Sequence, residues 1–307
     1  MPTKTSSTAS SRTEDLLTTS GRRPCTASAS SRCPDPEKST ATRCVKMLAQ
    51  CNDIDVAWFE AGRGEALILV HGLADDHRAW RRSLPDLMLR HRVILYDLRG
   101  HGQTSLGNPD GTLRQLGADL IALMDALGVE RAHVAGFSLG GTIAMRAAID
   151  HPDRVGGLAL VATSSRVGRS AADWYRQRVE IVDRGDPELR ATLDRDTADV
   201  YAESPGELEE GLVIRRESTA DPRGYANACA AMAALNASPL DPELDRITAP
   251  TLIVAAELDR HCPPKAAEII AAGIKSSKLE VIPAAGHPIP VEKPRELARS
   301  MISFLND

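Results

Sequence analysis

Gly136-Phe137-Ser138-Leu139-Gly140-Gly141 constrains this chain more than any other stretch. A short apolar run, Ala132-His133-Val134-Ala135, precedes it. A run of helical character, Thr142-Ile143-Ala144-Met145-Arg146-Ala147-Ala148, follows. A serine held between glycines on a strand-to-helix turn is a nucleophile elbow. So tight a turn forces the serine into a strained backbone conformation and crowds the residues two before and two after it. Glycine at 136 and 140 relieves that crowding. The turn lifts the hydroxyl clear of the sheet. The helix that follows aims its N-terminus at any negative charge formed beside it.

The chain has 307 residues, 42% hydrophobic and 26% charged, which suffices for one large α/β domain or a domain with an insertion. Its net charge of −5 leaves no basic footprint, so nucleic acid is not an expected partner. No apolar run approaches the length of a membrane span. Aromatic residues make up only 3%, so the core must be built from Ala, Leu, Ile and Val. None of the six cysteines has the spacing of a zinc-ligand pair. Cys25 and Cys33 are close enough in sequence for a disulfide, but their segment lacks a core to support one. Free thiols in a reducing compartment, the cytoplasm, are the expectation.

Residues 1–46 are rich in Ser, Thr, Arg and Pro and lack hydrophobic periodicity, which predicts a disordered tail. A transit segment is the alternative, since the stretch is poor in acids and contains Arg22-Arg23, Arg32 and Arg43. Met47 is a candidate start. Beyond it, strand-like runs at 56–60, 66–70, 92–96, 132–135, 157–162, 251–255 and 278–282 alternate with helix-like runs at 113–127, 139–150, 264–272 and 294–305. Continuous apolar strands suit a parallel sheet buried on both faces. The alternation predicts a mostly parallel sheet flanked by helices. Residues 164–237 carry no strand pattern and read as a helical lid. It would be inserted between a first core part, 47–163, and a second, 238–307, over the strand ends where such folds bind ligands.

Serine is a poor nucleophile at neutral pH and needs a base, which in turn needs an acid to orient it. Strand 251–255 runs into Ala256-Glu257-Leu258-Asp259. Asp259 lies just past the strand end and is the candidate acid, with Glu257 its rival. Ala285-Gly286-His287 follows the last strand, where a loop histidine can reach Ser138. The order Ser138, Asp259, His287 excludes His71 and His101 as the base, because both precede the serine. An oxyanion needs backbone donors. The N–H of Leu139 and that of Leu73, in His71-Gly72-Leu73, are the candidates, with His71 bracing the loop. Asp97-Leu98-Arg99-Gly100-His101-Gly102 has some character of a phosphate loop. No Gly-x-Gly-x-x-Gly follows the first strand and no Gly-Lys-Ser/Thr loop is present, so nucleotide cofactors lack support. No metal-binding histidine pair appears in the sequence.

Together, Val70-His71-Gly72, Asp97-Leu98-Arg99-Gly100-His101-Gly102, the elbow, Asp259 and Gly286-His287 make residues 54–306 resemble the α/β-hydrolase superfamily. Three stretches are similar to bacterial 3-oxoadipate enol-lactonases: Thr163-Ser164-Ser165-Arg166-Val167-Gly168 with Trp174, Gly224-Tyr225-Ala226-Asn227-Ala228-Cys229-Ala230-Ala231-Met232, and Gly286-His287-Pro288-Ile289-Pro290-Val291-Glu292-Lys293-Pro294. The resemblance implies a cofactor-free serine hydrolase of a small ester or lactone, in aromatic degradation. Such a carboxylate-bearing lactone wants a cation in its pocket. Arg166 is the candidate and Trp174 a candidate contact, with solvated or packing roles as the alternatives. The acid-rich 203–210 departs from the pattern. A carboxylesterase, a C–C bond hydrolase, a cofactor-free haloperoxidase and a ligand-binding receptor on the same fold remain open.

Overall fold

The continuous apolar runs become the strands of one mixed sheet in the computed structural model, which describes residues 45–306. Most of the expected tail, with Cys25, Cys33 and Cys44, lies outside the described residues. The strands are β1 (Val45–Cys51), β2 (Ile54–Gly62), β3 (Ala66–Val70), β4 (Arg92–Tyr96), β5 (Ala132–Phe137), β6 (Val155–Val161), β7 (Thr251–Ala256) and β8 (Ser277–Ile282). They lie in the order β1-β2-β4-β3-β5-β6-β7-β8. β2 runs antiparallel to both its neighbours, and every pairing from β4 to β8 is parallel.

Period-two alternation explains why the central strands are apolar throughout. In β3, Ile68 and Val70 join the core on one face of the sheet and Leu67 and Leu69 join that on the other. The first face is covered by α2 (Leu113–Ala126), α3 (Leu139–Asp150) and α8 (Pro264–Gly273). The second is covered by α1 (Leu84–Leu87), α9 (Ile289–Glu292) and α10 (Pro294–Leu305). Both faces of a parallel sheet must be covered, and here they are.

The sequence reading missed β1. Its Lys46, Leu48 and Gln50 face solvent while Ala49 and Cys51 are buried. The outward Leu48 hides that alternation, and the run abuts a polar segment. β1 therefore takes in Val45 and Lys46, which the sequence left in the tail.

Four helices follow β6 before the chain returns to β7: α4 (Arg169–Asp183), α5 (Leu189–Val200), α6 (Leu208–Ser218) and α7 (Pro222–Ala234). The acid-rich stretch and Glu217 beyond it have arginine partners on the core. Glu203 pairs with Arg260, Glu207 with Arg82, Glu210 with Arg81, and Glu217 with Arg78.

Candidate active site

β3 has β4 on one side and β5 on the other, so the loops that leave β3 and β5 diverge and open a crevice at their C-terminal ends. Ser138 stands there, between β5 and α3, with φ +54° and ψ −122°. A Cβ on Gly136 would lie 2.2 Å from the Gly140 carbonyl oxygen, and one on Gly140 would lie 2.3 Å from that of Val70. Any larger residue at either position would push the elbow apart. Ser138 holds the N-cap position of α3, yet its side chain makes no capping bond. The hydroxyl is free for another partner.

That partner is His287, in the loop after β8. Its Nε2 lies 3.1 Å from Ser138 Oγ, and its Nδ1 lies 2.8 Å from Asp259 Oδ2. Asp259 Oδ1 accepts the N–H groups of His261 and Cys262, each at 2.8 Å. An Nδ1–H donated to the carboxylate leaves Nε2 as the acceptor for the serine proton. Asp259 and His287 are both buried. Burial disfavours the Asp259 carboxylate, but the charge and hydrogen bond of His287 and the two N–H groups outweigh it. Its pKa is held below the ordinary 3.8. Glu257, the rival acid, is exposed, and its Oε2 accepts the Ala284 N–H at 2.9 Å. Together with Glu292, which accepts the Gly286 N–H, it pins the loop that carries His287.

Leu139 is the first residue of α3, where an N–H has no intrahelical partner. Leu73 lies across the crevice on the loop after β3 and lines the same cavity as Ser138. His71 is fully buried; its Nε2 accepts the Leu98 N–H at 2.9 Å, so its Nδ1 donates to the Gly72 carbonyl at 2.8 Å. The ring thus ties the loop after β3 to the loop after β4.

The cavity has a volume of about 520 Å³ and is lined by Ser138, His287, Leu73, Trp174, Arg215 and Cys262, among others. Trp174 is half-buried, with the Arg178 guanidinium 4.1 Å from its ring centre. Arg166 does not reach the cavity. Its side chain is 53% exposed and sits 3.2 Å from Asp241. The chain leaves β6 with Ser164 facing the cavity and Arg166 turned outward, which corrects the expectation of a pocket cation there. The buried lining arginine is Arg215, on α6.

Asp75, Arg215, His261 and Cys262 line the site unannounced by any local motif. Burial raises the Asp75 carboxyl, against the partial relief of Arg215 and His71. Burial pushes the Cys262 thiol up to about 12, with the Asp259 charge adding to it. Asp97 anchors the loop after β4. It accepts the His77 N–H and the Gln103 N–H, both at 2.9 Å, and pairs with the His77 ring at 2.7 Å. The Gly100, His101, Gly102 and Thr104 N–H groups of this loop donate to backbone carbonyls, and that of Gln103 to Asp97, so these amides form no cradle for a phosphate. Asp76, His77 and Asp97 have ligand-like spacing, but Asp76 is bound to Arg78 and Asp97 to His77.

A family profile described as "alpha/beta hydrolase fold" matches residues 65–294. The chain is 31% identical to a putative carbamate hydrolase RutD of Variovorax paradoxus, over 79% of this chain and 92% of that protein. It is 30% identical to 3-oxoadipate enol-lactonase 1 of Acinetobacter baylyi, over 78% and 88%. Among solved structures, the enol-lactonase from Burkholderia xenovorans superposes with a TM-score of 0.76 at 26% identity, over 85% of this chain and 100% of that one. Among the described residues, no helix is long and apolar enough to cross a membrane.

Proposed function

Because the chain belongs to the α/β-hydrolase fold family, we propose that it is a serine hydrolase cleaving a small ester or lactone through an acyl-enzyme. The observation that carries this reading is the unbroken Ser138–His287–Asp259 relay opening on a cavity of small-molecule size. Ser138 Oγ attacks the carbonyl while His287 Nε2 takes its proton. Asp259 stabilises the imidazolium, and the N–H groups of Leu73 and Leu139 receive the oxyanion. The leaving oxygen takes the proton back; in a lactone it stays tethered to the acyl group. Water, deprotonated by His287, then releases the acid.

Within this class we propose a lactone of the enol-lactone type, supported by the similarity to enol-lactonases. The charge of the cavity favours a second reading, a carboxylesterase of neutral esters. Asp75 and Asp199 line the cavity, the buried Arg215 is turned to the Leu73 carbonyl, Arg166 is outside, and Arg260 is paired with Glu203. The relative kcat/KM for 3-oxoadipate enol-lactone and for a short neutral aryl ester separates the two. At least a tenfold preference for the charged lactone supports the first, and the reverse supports the second. Ser138→Ala should abolish both activities and labelling by a fluorophosphonate. Turnover by a folded Ser138→Ala protein overturns the proposal; so does the absence of steady-state turnover of any ester by the unsubstituted one, which would leave a ligand-binding receptor.

A further inference from the structure

The loop that carries Leu73 is gripped from the inserted helices. Arg215 and Ser218 are three residues apart on α6 and so share one face of it. Arg215 Nη2 donates to the Leu73 carbonyl at 3.0 Å. Ser218 Oγ donates to the Asp75 carbonyl. The two held carbonyls flank Ala74, which has φ +62°, a left-handed conformation that an alanine does not adopt unaided. Arg215 is 9% exposed and Ser218 1%. The core side of the loop is held separately, by the His71 bonds and by Trp80 Nε1, which donates to the Val70 carbonyl at 3.2 Å. The Leu73 N–H shares a peptide plane with the Gly72 carbonyl, which accepts from His71 Nδ1 and from the Asp75 N–H at 3.3 Å, while Arg215 holds the next peptide, so both planes that meet at Leu73 are fixed.

We propose that Arg215 and Ser218 are positioning residues: by holding the carbonyls on either side of Ala74, α6 sets the direction in which the Leu73 N–H meets the oxyanion. The inference rests on the serine-hydrolase reading and adds to it a source of order outside the core. It makes the insertion part of the catalytic geometry as well as a wall of the cavity. An N–H that is present but misdirected binds substrate as before and loses its gain only in the transition state.

The test uses the full chain and a neutral aryl ester, with an aryl boronic acid as the probe that adds to Ser138 and places an oxygen in the oxyanion site. Ser218→Ala should lower kcat about tenfold with KM nearly unchanged, less than the roughly 10²–10³ lost when an oxyanion donor is removed outright. Boronate affinity should fall by the same factor as kcat. Arg215→Met should do the same more strongly, and Arg215→Lys, which keeps a donor for Leu73, should recover part of the loss. Glu217→Gln serves as the control on the same helix. It breaks only the exposed pair with Arg78 and should leave kcat and boronate affinity unchanged. If Arg215→Met fails to fold, Ser218→Ala and Arg215→Lys still decide the matter. Unchanged kcat in Ser218→Ala and in Arg215→Lys, with the unsubstituted enzyme active, overturns the inference alone. So does an equal loss in Glu217→Gln, which would mark a general effect of helix docking. No ester turnover by the unsubstituted enzyme sinks both the inference and the reading beneath it.

Discussion

Two carboxylates near the end of β7 divide the work of building the site. Asp259 Oδ2 meets the His287 ring, and its other oxygen is saturated by two N–H groups, so the carboxylate is both charged and fixed in direction. Glu257 faces solvent and steadies Ala284, three residues before His287. Asp259→Asn should lower kcat by about 10⁴-fold, because an amide at this position favours the wrong histidine tautomer. Glu257→Gln keeps an acceptor for the Ala284 N–H and should cost less than tenfold. Steady-state kinetics on one ester checks both, and a larger loss in Glu257→Gln would reverse the assignment. Arg166→Met should change KM by less than twofold for charged and neutral substrates alike, since the Arg166 side chain is half exposed and pairs with Asp241. A rise in KM confined to the charged lactone would return Arg166 to the pocket.

At the scale of elements, the loops after β3 and β4 are held together by Asp97. It lies at the end of β4 and is fully buried. Burial opposes its ionisation, but the His77 ring and the backbone N–H of His77 more than compensate, so its pKa sits below the ordinary 3.8. A depressed carboxylate pKa contributes stability that is fully present above the unfolded value and is lost as pH falls through the folded one. Asp97→Asn should therefore destabilise by about 2–3 kcal/mol at neutral pH. The gap to the unsubstituted protein should narrow only below about pH 4. Urea unfolding at several pH values measures this. A gap that stays constant down to pH 2.5, or one that closes already near pH 6, would assign the stabilisation to other groups. The edge of the sheet offers a second element-scale test. A chain beginning at Met47 lacks Val45 and Lys46, which pair with Glu60 and Phe59. Edge pairs contribute roughly 0.2–1 kcal/mol each, so it should melt a few degrees below a chain beginning at Val45. Equal melting temperatures would mean that the first two residues of β1 add nothing.

For the whole molecule, acid sensitivity should begin well above the carboxylate range. His101 is fully buried; burial and the neighbouring His71 lower its pKa from 6.5 to about 4. Its Nδ1 meets the Arg99 carbonyl, while its Nε2 has no partner among the described residues. The unfolded chain binds a proton near pH 6.5 and the folded one resists until about 4, so stability falls as pH drops through that window. At about 1.4 kcal/mol per pH unit the loss is roughly 3 kcal/mol. His101→Gln should flatten the slope between pH 7 and 4, whatever it does to absolute stability. An unaltered slope in a folded variant would place the acid sensitivity elsewhere.

Local chemistry made the centre of this protein legible before its fold was in view. A serine between glycines, flanked by a strand and a helix, admits few backbone geometries, and the glycines at 136 and 140 prove to be needed by contacts closer than a side chain allows. The runs that became β3 to β7 were readable because strands covered on both faces are apolar at nearly every position, while β2 and β8 carry Asp55, Glu60, Lys278 and Glu280 among their apolar residues. Asp259 and His287 followed from their places just beyond strand ends. What could not be read depends on neighbours distant in sequence. Arg166 and Arg215 are alike as letters. One leaves β6 pointing outward to Asp241, and the other is turned inward by the packing of α6 against the loop after β3. Asp75 acquires its character from burial, and Glu207 and Glu210 acquire theirs from arginines more than a hundred residues earlier. β1 escaped notice because one exposed leucine masks its alternation. Motifs are local, and a sequence displays them; the sign and direction of a pocket's side chains are set by long-range packing, which only the tertiary structure decides.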